Sequence, residues 1–222
     1  MAIITTFPTK APALALTPTQ FSQQHFDLFN SQLRIYFNTI DAFTATLGTL
    51  AGGSALSFPH IAALDTTDQY ATANNTPTIV KWNTLDSGLG FTLDPGFYAT
   101  AQYAGFYKID YSLQYANTAN AAHDVVVWLR VNNVDVVGSA SKITIPARKS
   151  AGVPSYILMY STVPFEVDAG DEIALWWATD LAYNPVGPVD GVYMEYAPAQ
   201  TVPYAHPSIP SAIGAITFVS RL

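Results

Sequence analysis

The chain has 222 residues, of which 50% are hydrophobic and only 11% are charged, and its net charge is −7. The scarcity of Lys and Arg argues against a nucleic-acid partner, because phosphate neutralisation needs clustered basic side chains. Cysteine is absent, which excludes disulfides, thiolate zinc sites and a cysteine nucleophile. A surface so poor in charge is unsuited to a dispersed monomer, and it favours a subunit whose faces are covered in an assembly.

The first residues of the chain show neither a signal peptide nor a membrane anchor. They lack the basic start and the long apolar segment of a signal peptide, and no apolar run approaches the roughly 18 residues that span a bilayer. We therefore expect no membrane insertion and synthesis in a cytoplasm. Residues 1–17 are rich in Pro, Thr and Ala without any period, which predicts an extended N-terminal arm or a disordered terminus.

Residues 18–50 carry the signals of one long helix. Thr17 at the N-cap and Pro18 at the first helical position predict its start, and Gly48 predicts its end near Leu47. A helix over this length would form a rod of roughly 45 Å.

Within this helix the apolar residues keep a heptad repeat. Two series offset by three positions carry it: Phe26, Leu33, Ile40 and Leu47, and Phe29, Tyr36, Phe43 and Leu50. Such a and d positions drive helices to wind around one another, so we interpret the segment as a coiled-coil stem. The alternative is an amphipathic helix packed on its own domain, which the additional apolar residues Leu28, Ile35 and Phe37 favour.

From residue 51 to residue 222 the pattern changes to the alternation of β-strands. The clearest strand spans 106–115, where Tyr107, Ile109 and Leu113 share one face with two more tyrosines. Asn132-Asn133 separates two strand-like runs and predicts a tight hairpin. Further predicted strands are 79–83, 142–145, 156–167, 172–178, 191–196 and 213–219. Many short strands without intervening helices predict an antiparallel sandwich or jelly roll.

The order of these strands resembles the C1q/TNF-like jelly roll. The segments that carry the likeness are 93–98, 104–109 with its Gly-Phe-Tyr opening, the hairpin 124–136, the Gly-Asp turn within 165–177, and the closing strand 213–219. The resemblance implies a homotrimer with the sandwiches packed about a threefold axis. The number three comes from the resemblance, whereas association of helices follows from the heptad itself.

Three segments are similar to virion structural proteins of bacteriophages, particularly those of marine cyanobacterial phages: 30–41, 68–77 and 205–213. This resemblance implies a short fibre or a capsid decoration, located in the virion and made in the host cytoplasm. The arm would bind other virion proteins, the stem would hold the trimer, and the head would be displayed outward for host attachment. The alternative within this setting is a tail-fibre tip that recognises a glycan on the host cell surface.

No catalytic or metal-binding constellation stands out. His123-Asp124 lacks a nucleophile motif, and the acidic segment 168–172 is typical of a turn in which Gly170 takes positive φ. Ca²⁺ would need six or more converging oxygens, to which Asp65, Asp68, Asp86 and Asp94 are the available contributors. We therefore predict no enzyme activity, no cofactor and no metal.

The aromatic side chains are the remaining candidates for function. Trp176 and Trp177 are adjacent in a predicted strand and must point to opposite faces, so at most one belongs to the core. We predict a head interface between subunits, or alternatively a sugar-stacking ligand surface, at six residues: Trp128, Trp176, Trp177, Tyr183, Tyr193 and Tyr204.

Overall fold

The computed structural model describes residues 20, 22–47, 58–94, 98–187 and 189–222. The chain divides into two compact units, residues 1–57 and residues 58–222. In its described part the first unit consists of a single helix, α1 (Gln23–Leu47). The second is an antiparallel β-sandwich. The predicted arm, residues 1–17, lies outside the described residues.

Helix α1 begins at Gln23, so the predicted start at Pro18 is wrong. Ser22 caps the helix: its side-chain Oγ accepts a hydrogen bond from the backbone N–H of His25 at 3.3 Å, and its carbonyl accepts one from Phe26 at 3.1 Å. A serine placed one turn further along satisfies the first free N–H groups as well as the predicted threonine would. The helix ends at Leu47, as the following glycine predicts.

The predicted heptad stripe forms the most shielded face of α1. Five of its residues are partly buried and follow one another at intervals of three and four: Phe29, Leu33, Tyr36, Ile40 and Phe43. Phe26 is 54% exposed, and two apolar residues outside the stripe, Ile35 and Phe37, are 64% and 55% exposed. The side chain of Leu47 is outside the described set. In a single chain the helix therefore leaves much apolar surface in water.

The strands of the second unit follow in chain order. They are β1 (His60–Asp65), β2 (Gln69–Tyr70), β3 (Thr78–Ile79), β4 (Thr84–Leu89), β5 (Phe91–Leu93), β6 (Ala99–Ala101), β7 (Gly105–Asn117), β8 (His123–Val131), β9 (Val134–Asp135), β10 (Ser141–Ile145), β11 (Ser155–Val167), β12 (Glu172–Thr179), β13 (Val192–Met194) and β14 (Ala212–Ser220).

Two sheets pack face to face. In the first, here called the β7 sheet, β11 pairs with one side of β7 along its whole length. The other side of β7 pairs first with β14 and then with β13, and these lead outward to β1–β4 and to β2 respectively. The second, the β8 sheet, has the order β10–β8–β12–β6–β5, with β9 beside β8 and β3 beside β12.

The core lies between the two sheets and is rich in large aromatic side chains. The predicted inward face of β7 is confirmed: Tyr107, Ile109, Tyr111, Leu113 and Tyr115 are all buried. Trp177 of β12 is fully buried opposite them, with its ring 5.6 Å from that of Tyr115. The alternating pattern therefore places one side of β7 in the core and the other side on the outer surface.

The predicted hairpin is confirmed, and one predicted strand is largely wrong. Asn132 and Asn133 adopt positive φ values of 51° and 63° between β8 and β9. Of the predicted strand 79–83 only Ile79 belongs to a strand, because the pairing of β3 with β12 covers two residues. The first residue of β7 is Gly105. A larger residue would not fit there, because its Cβ would lie 2.6 Å from Cε2 of Phe218 and 3.0 Å from a backbone oxygen.

Candidate functional site

A row of tyrosines crosses the outer face of the β7 sheet. Tyr156 of β11 is the register partner of Ala116, Ala116 is the partner of Tyr193 on β13, and Tyr193 is the partner of Tyr70 on β2. Because side chains in register point to the same face of a sheet, all four residues lie on the face opposite the core. The buried Ala116 separates Tyr156 from Tyr193. We call Tyr156, Tyr193, Tyr70 and the adjacent Tyr183 the tyrosine row.

Tyr183 joins the row from the segment that follows β12. Its ring centroid lies 4.9 Å from that of Tyr193, and the ring of Tyr70 lies 5.7 Å from each of the two. Gly191 permits this packing, since a Cβ there would lie 2.5 Å from the backbone nitrogen of Tyr183. The predicted ligand residues Tyr183 and Tyr193 are thus brought together.

Two carboxylates accept hydrogen bonds from the row. Oε1 of Glu195 accepts from the hydroxyl of Tyr193 at 2.9 Å and from that of Tyr156 at 3.5 Å. Oδ2 of Asp68 accepts from the hydroxyl of Tyr70 at 3.0 Å, while its Oδ1 accepts from a backbone N–H at 2.8 Å. Among the described residues no Lys, Arg or His lies within ion-pair distance of either carboxylate. The site therefore combines aromatic rings with uncompensated negative charge.

The electrostatics of the site reflect this excess of negative charge. Burial raises the pKa of Glu195, and the nearby carboxylate of Asp68 raises it further. Burial and the hydrogen bond to Asp68 raise the pKa of Tyr70 to about 12. Burial and the hydrogen bond to Glu195 raise the pKa of Tyr193 as well. In each case a further negative charge is disfavoured at this position, and a positive charge would relieve the repulsion.

A second aromatic surface lies on the outer face of the β8 sheet. Trp128 of β8 and Trp176 of β12 are register partners, and the guanidinium of Arg130 lies 5.5 Å and 4.4 Å from their ring centroids. Oδ1 of Asp135 accepts hydrogen bonds from the indole N–H of Trp128 at 2.7 Å and from Nε of Arg130 at 2.6 Å. The hydrogen bond from Arg130 lowers the pKa of Asp135. The rings of Trp128 and Trp176 therefore already have a cation partner within the chain, the guanidinium of Arg130.

The other two predicted contact residues lie elsewhere. Trp177 is fully buried in the core, so its assignment to a head interface or ligand surface is wrong. It follows Trp176 in the same strand, and strand alternation sends the two to opposite sides of the sheet. Tyr204 is exposed in the long loop between β13 and β14, where its ring lies 5.7 Å from that of His206. No ring contact joins Tyr204 to the tyrosine row in the described part of the chain.

Sequence reasoning missed Asp68, Tyr70, Tyr156 and Glu195 as members of this site. The two short patterns Asp-x-Tyr and Tyr-x-Glu were available as signals, because residues two apart in extended backbone point to the same side, although Asp68 precedes β2 and Glu195 follows β13. What joins the two patterns is the pairing of β2 with β13. Such a pairing between distant strands is not visible in one sequence.

His123 and the acidic segment 168–172 have partners and positions of their own in the structure. Nδ1 of His123 lies 3.1 Å from Asp180, while Asp124 accepts from Thr144 and pairs with Lys142. The acidic segment 168–172 is a turn, as predicted, with Gly170 at φ 94°. Over the described ranges no three His, Asp or Glu side chains gather in a way that could hold a metal ion, and α1 is not apolar enough to cross a membrane.

Comparison with known proteins finds a likeness of structure. No family model matches the chain, and no curated protein matches its sequence. Solved structures do match, among them the Eiger TNF from S. frugiperda, with a TM-score of 0.46 and 11% sequence identity over 75% of this chain and 96% of that one. The observed architecture is that of a mostly antiparallel β-sandwich preceded by one helix.

Proposed function

We propose that the chain is a structural protein of a bacteriophage particle, a homotrimeric short fibre or capsid decoration. Residues 1–17 attach it to other virion proteins, α1 joins three copies as a coiled coil, and the β-sandwich is the head displayed toward the host. The protein acts by binding and not by turnover.

The observation that carries the proposal is the stripe along α1. Its described residues are spaced at the intervals of a coiled coil, and in a single chain they are at most partly buried, with Phe26 of the stripe 54% exposed. Most of the stability of a protein helix comes from packing of its apolar face. Association with copies of itself supplies that packing.

The head is proposed to be a jelly roll that adds a second contact between copies. Four strands in each sheet, β1–β14–β7–β11 and β10–β8–β12–β6, follow an order compatible with this fold. On the outer face of the β7 sheet, Leu158 and Tyr160 of β11 are 60% and 66% exposed, and Ile213 of β14, on the other side of β7, is 46% exposed. Exposed apolar side chains on a sheet face are suited to a subunit interface.

The phage setting rests on the resemblance of segments 30–41, 68–77 and 205–213 to virion proteins of marine cyanobacterial phages. The scarcity of charge supports it, because a subunit covered by neighbours does not need charge to stay dispersed. Display of three heads on each appendage and many appendages on each particle turns weak individual contacts into firm attachment.

A second candidate function is recognition of a host glycan by the head. The tyrosine row favours it, since aromatic rings on a sheet face with carboxylate acceptors beside them are suited to stack on sugars and accept hydrogen bonds from them. A glycan array separates the two functions. Binding that is lost when Tyr183 and Tyr193 are replaced by alanine would support recognition, whereas silence across the array would leave the structural role alone.

The proposed location is tested by immunogold electron microscopy. Antibodies raised against residues 58–222 should label the surface of intact, purified particles of the phage whose genome encodes the chain. Labelling of the infected-cell lysate without labelling of particles would contradict a virion role.

A further inference from the structure

We propose that the loop between β13 and β14 reaches a neighbouring copy in the trimer and packs its tip against β11 of that copy. We call residues 196–210 of this loop the β13–β14 ribbon. The inference rests on the proposed trimer and names two surfaces that meet in it. In a ring of identical subunits each contact joins two different patches, so every chain must carry both.

The β13–β14 ribbon is a two-stranded projection from the sandwich. Two bridges hold its arms together, Ala197 with Ile209 and Gln200 with His206, and each bridge has two backbone hydrogen bonds of 2.8 to 3.1 Å. Among the described residues, every hydrogen bond and ring contact of residues 198–208 stays within the ribbon. The ribbon is therefore held in shape by its own contacts.

The tip of the ribbon is apolar and without charge. Residues 198–205 are all exposed, and Val202 and Tyr204 among them are 77% and 70% exposed. The whole ribbon contains no Asp, Glu, Lys or Arg. Exposed apolar side chains gathered on one projection are typical of a contact with another protein surface.

The base of the ribbon places it on the side of β7 away from β11. The N–H of Tyr196 donates to Oδ1 of Asp68 at 2.8 Å, and the N–H of Ser211 donates to the carbonyl of Asp65 at 3.0 Å. Asp65 ends β1 and Asp68 precedes β2, and both strands lie beyond β14 or β13 as seen from β7. The ribbon thus begins on the side of the sheet opposite to β11.

The surface proposed to receive the tip lies on β11. This strand pairs with β7 and with no other described strand. Its residues Leu158 and Tyr160 are 60% and 66% exposed, and residues 155–163 carry no charge. Two uncharged apolar patches therefore lie on opposite sides of one sheet, as a ring of subunits requires.

Both patches lie at the same level along β7. The carbonyl of Gln114 accepts from the N–H of Glu195, and its N–H donates to the carbonyl of Ser211, each at 2.9 Å. Leu158 is the register partner of Gln114 on the other side. Rotation about an axis parallel to β7 preserves this level, so it brings the ribbon of one copy to the height of Leu158 in the next. Residues 196–201 can reach roughly 16 Å, about three strand spacings.

Chemical cross-linking of the full-length chain tests the contact, because the chain contains no cysteine of its own. Val202→Cys and Leu158→Cys are combined in one chain, which is then treated with a short bismaleimide. We expect covalent trimers on a denaturing gel, with a link between positions 202 and 158 found by mass spectrometry. Val137→Cys with Leu158→Cys is the control, since Val137 is 99% exposed on another turn, and it should give no covalent trimers.

A charge at the tip gives a second test. Val202→Glu should raise the dissociation constant of the trimer about tenfold in a dilution series, because the contact would bury an unpaired carboxylate. Val186→Glu places the same charge on another loop, at a residue that is 95% exposed, and should leave dissociation unchanged. Equal dissociation of the two variants would contradict the contact.

The native mass of each cysteine variant, measured before cross-linking, separates this inference from the proposed function. A mass of three chains without a link between 202 and 158, or with an equal yield from the control pair, would overturn the ribbon contact and leave the trimer standing. A mass of one chain would overturn both.

Discussion

In a single chain the helix leaves large apolar side chains in water, whereas the sandwich encloses a core of large aromatic side chains. Phe26, Ile35 and Phe37 of α1 are more than half exposed, while Trp177 and Tyr115 are fully buried between the two sheets. The sandwich thus has an apolar core of its own, although Leu158 and Tyr160 on its outer face remain exposed. In the proposed trimer the helix gains further packing from the heptad stripes of its neighbours. The proposal therefore assigns independent stability to the sandwich and the main contact between copies to the helix.

The substitution with the largest expected effect is Ile40→Asp in the helix stripe. In a coiled-coil trimer it places three carboxylates in one apolar layer, and burial of each without a partner costs several kcal/mol. We expect the oligomer to dissociate in analytical ultracentrifugation, while the sandwich keeps its melting temperature. Asn38→Asp adds the same charge on the exposed side of α1 and is the matched control. Equal behaviour of the two variants would remove the stripe from the interface.

In the head, Trp177→Ala should be the most damaging change. Loss of a fully buried tryptophan leaves a cavity and costs about 3–5 kcal/mol. Thermal unfolding followed by near-UV circular dichroism should show the loss. Trp176→Ala removes a partly buried ring from the outer face and should cost clearly less. Comparable losses for both would mean that the outer face of the β8 sheet around Trp176 is packed as tightly as the core.

Gly191→Ala should have an intermediate effect, because the new methyl group would meet backbone atoms of Ala182 and Tyr183 that cannot rotate away. We expect a loss of about 1–3 kcal/mol in the free energy of unfolding. Gly187→Ala, where the nearest atom is a side-chain nitrogen at 3.9 Å, is the control. A neutral Gly191→Ala would show that the segment carrying Tyr183 is free to move away from β13.

The smallest expected effect comes from Ser22→Ala at the cap of α1. Loss of the hydrogen bond between Oγ and the N–H of His25 should cost about 1 kcal/mol. Because the cap belongs to the helix, the change should weaken association in a dilution series without shifting unfolding of the sandwich. A shift in the melting temperature of the sandwich would contradict the proposal that α1 governs association while the sandwich is stable by itself.

The sequence predicts those strands in which apolar and polar residues alternate strongly. It does not predict strands that form only because they pair with a strand distant in the chain. The inward face of β7 and the hairpin at Asn132-Asn133 follow from local pattern and turn chemistry. The short strands β1, β2, β4, β5 and β6 have no comparable pattern, since their strand character comes from neighbours distant in the chain. The helix start moved from Pro18 to Gln23 because a second suitable cap, Ser22, stands one turn later.

The candidate site was predictable only in part, for the same reason. Tyr183 and Tyr193 are prominent in the sequence, but Tyr70 and Tyr156 reach them through pairings with β13 and β7. Strand alternation predicted that Trp176 and Trp177 face opposite sides without indicating which one is buried, and only the register of β8 with β12 places Arg130 near the rings of both Trp128 and Trp176. The sequence indicated which aromatic side chains were candidates for the surface. The register of the paired strands determined which of those side chains contact one another.

The central claim is that α1 brings three copies together, and native mass spectrometry of the purified protein tests it most directly. The full-length chain should give the mass of three chains, and Ile40→Asp should shift it toward smaller species while Asn38→Asp does not. The mass of one chain for the unmodified protein would contradict the stem and the trimeric appendage together.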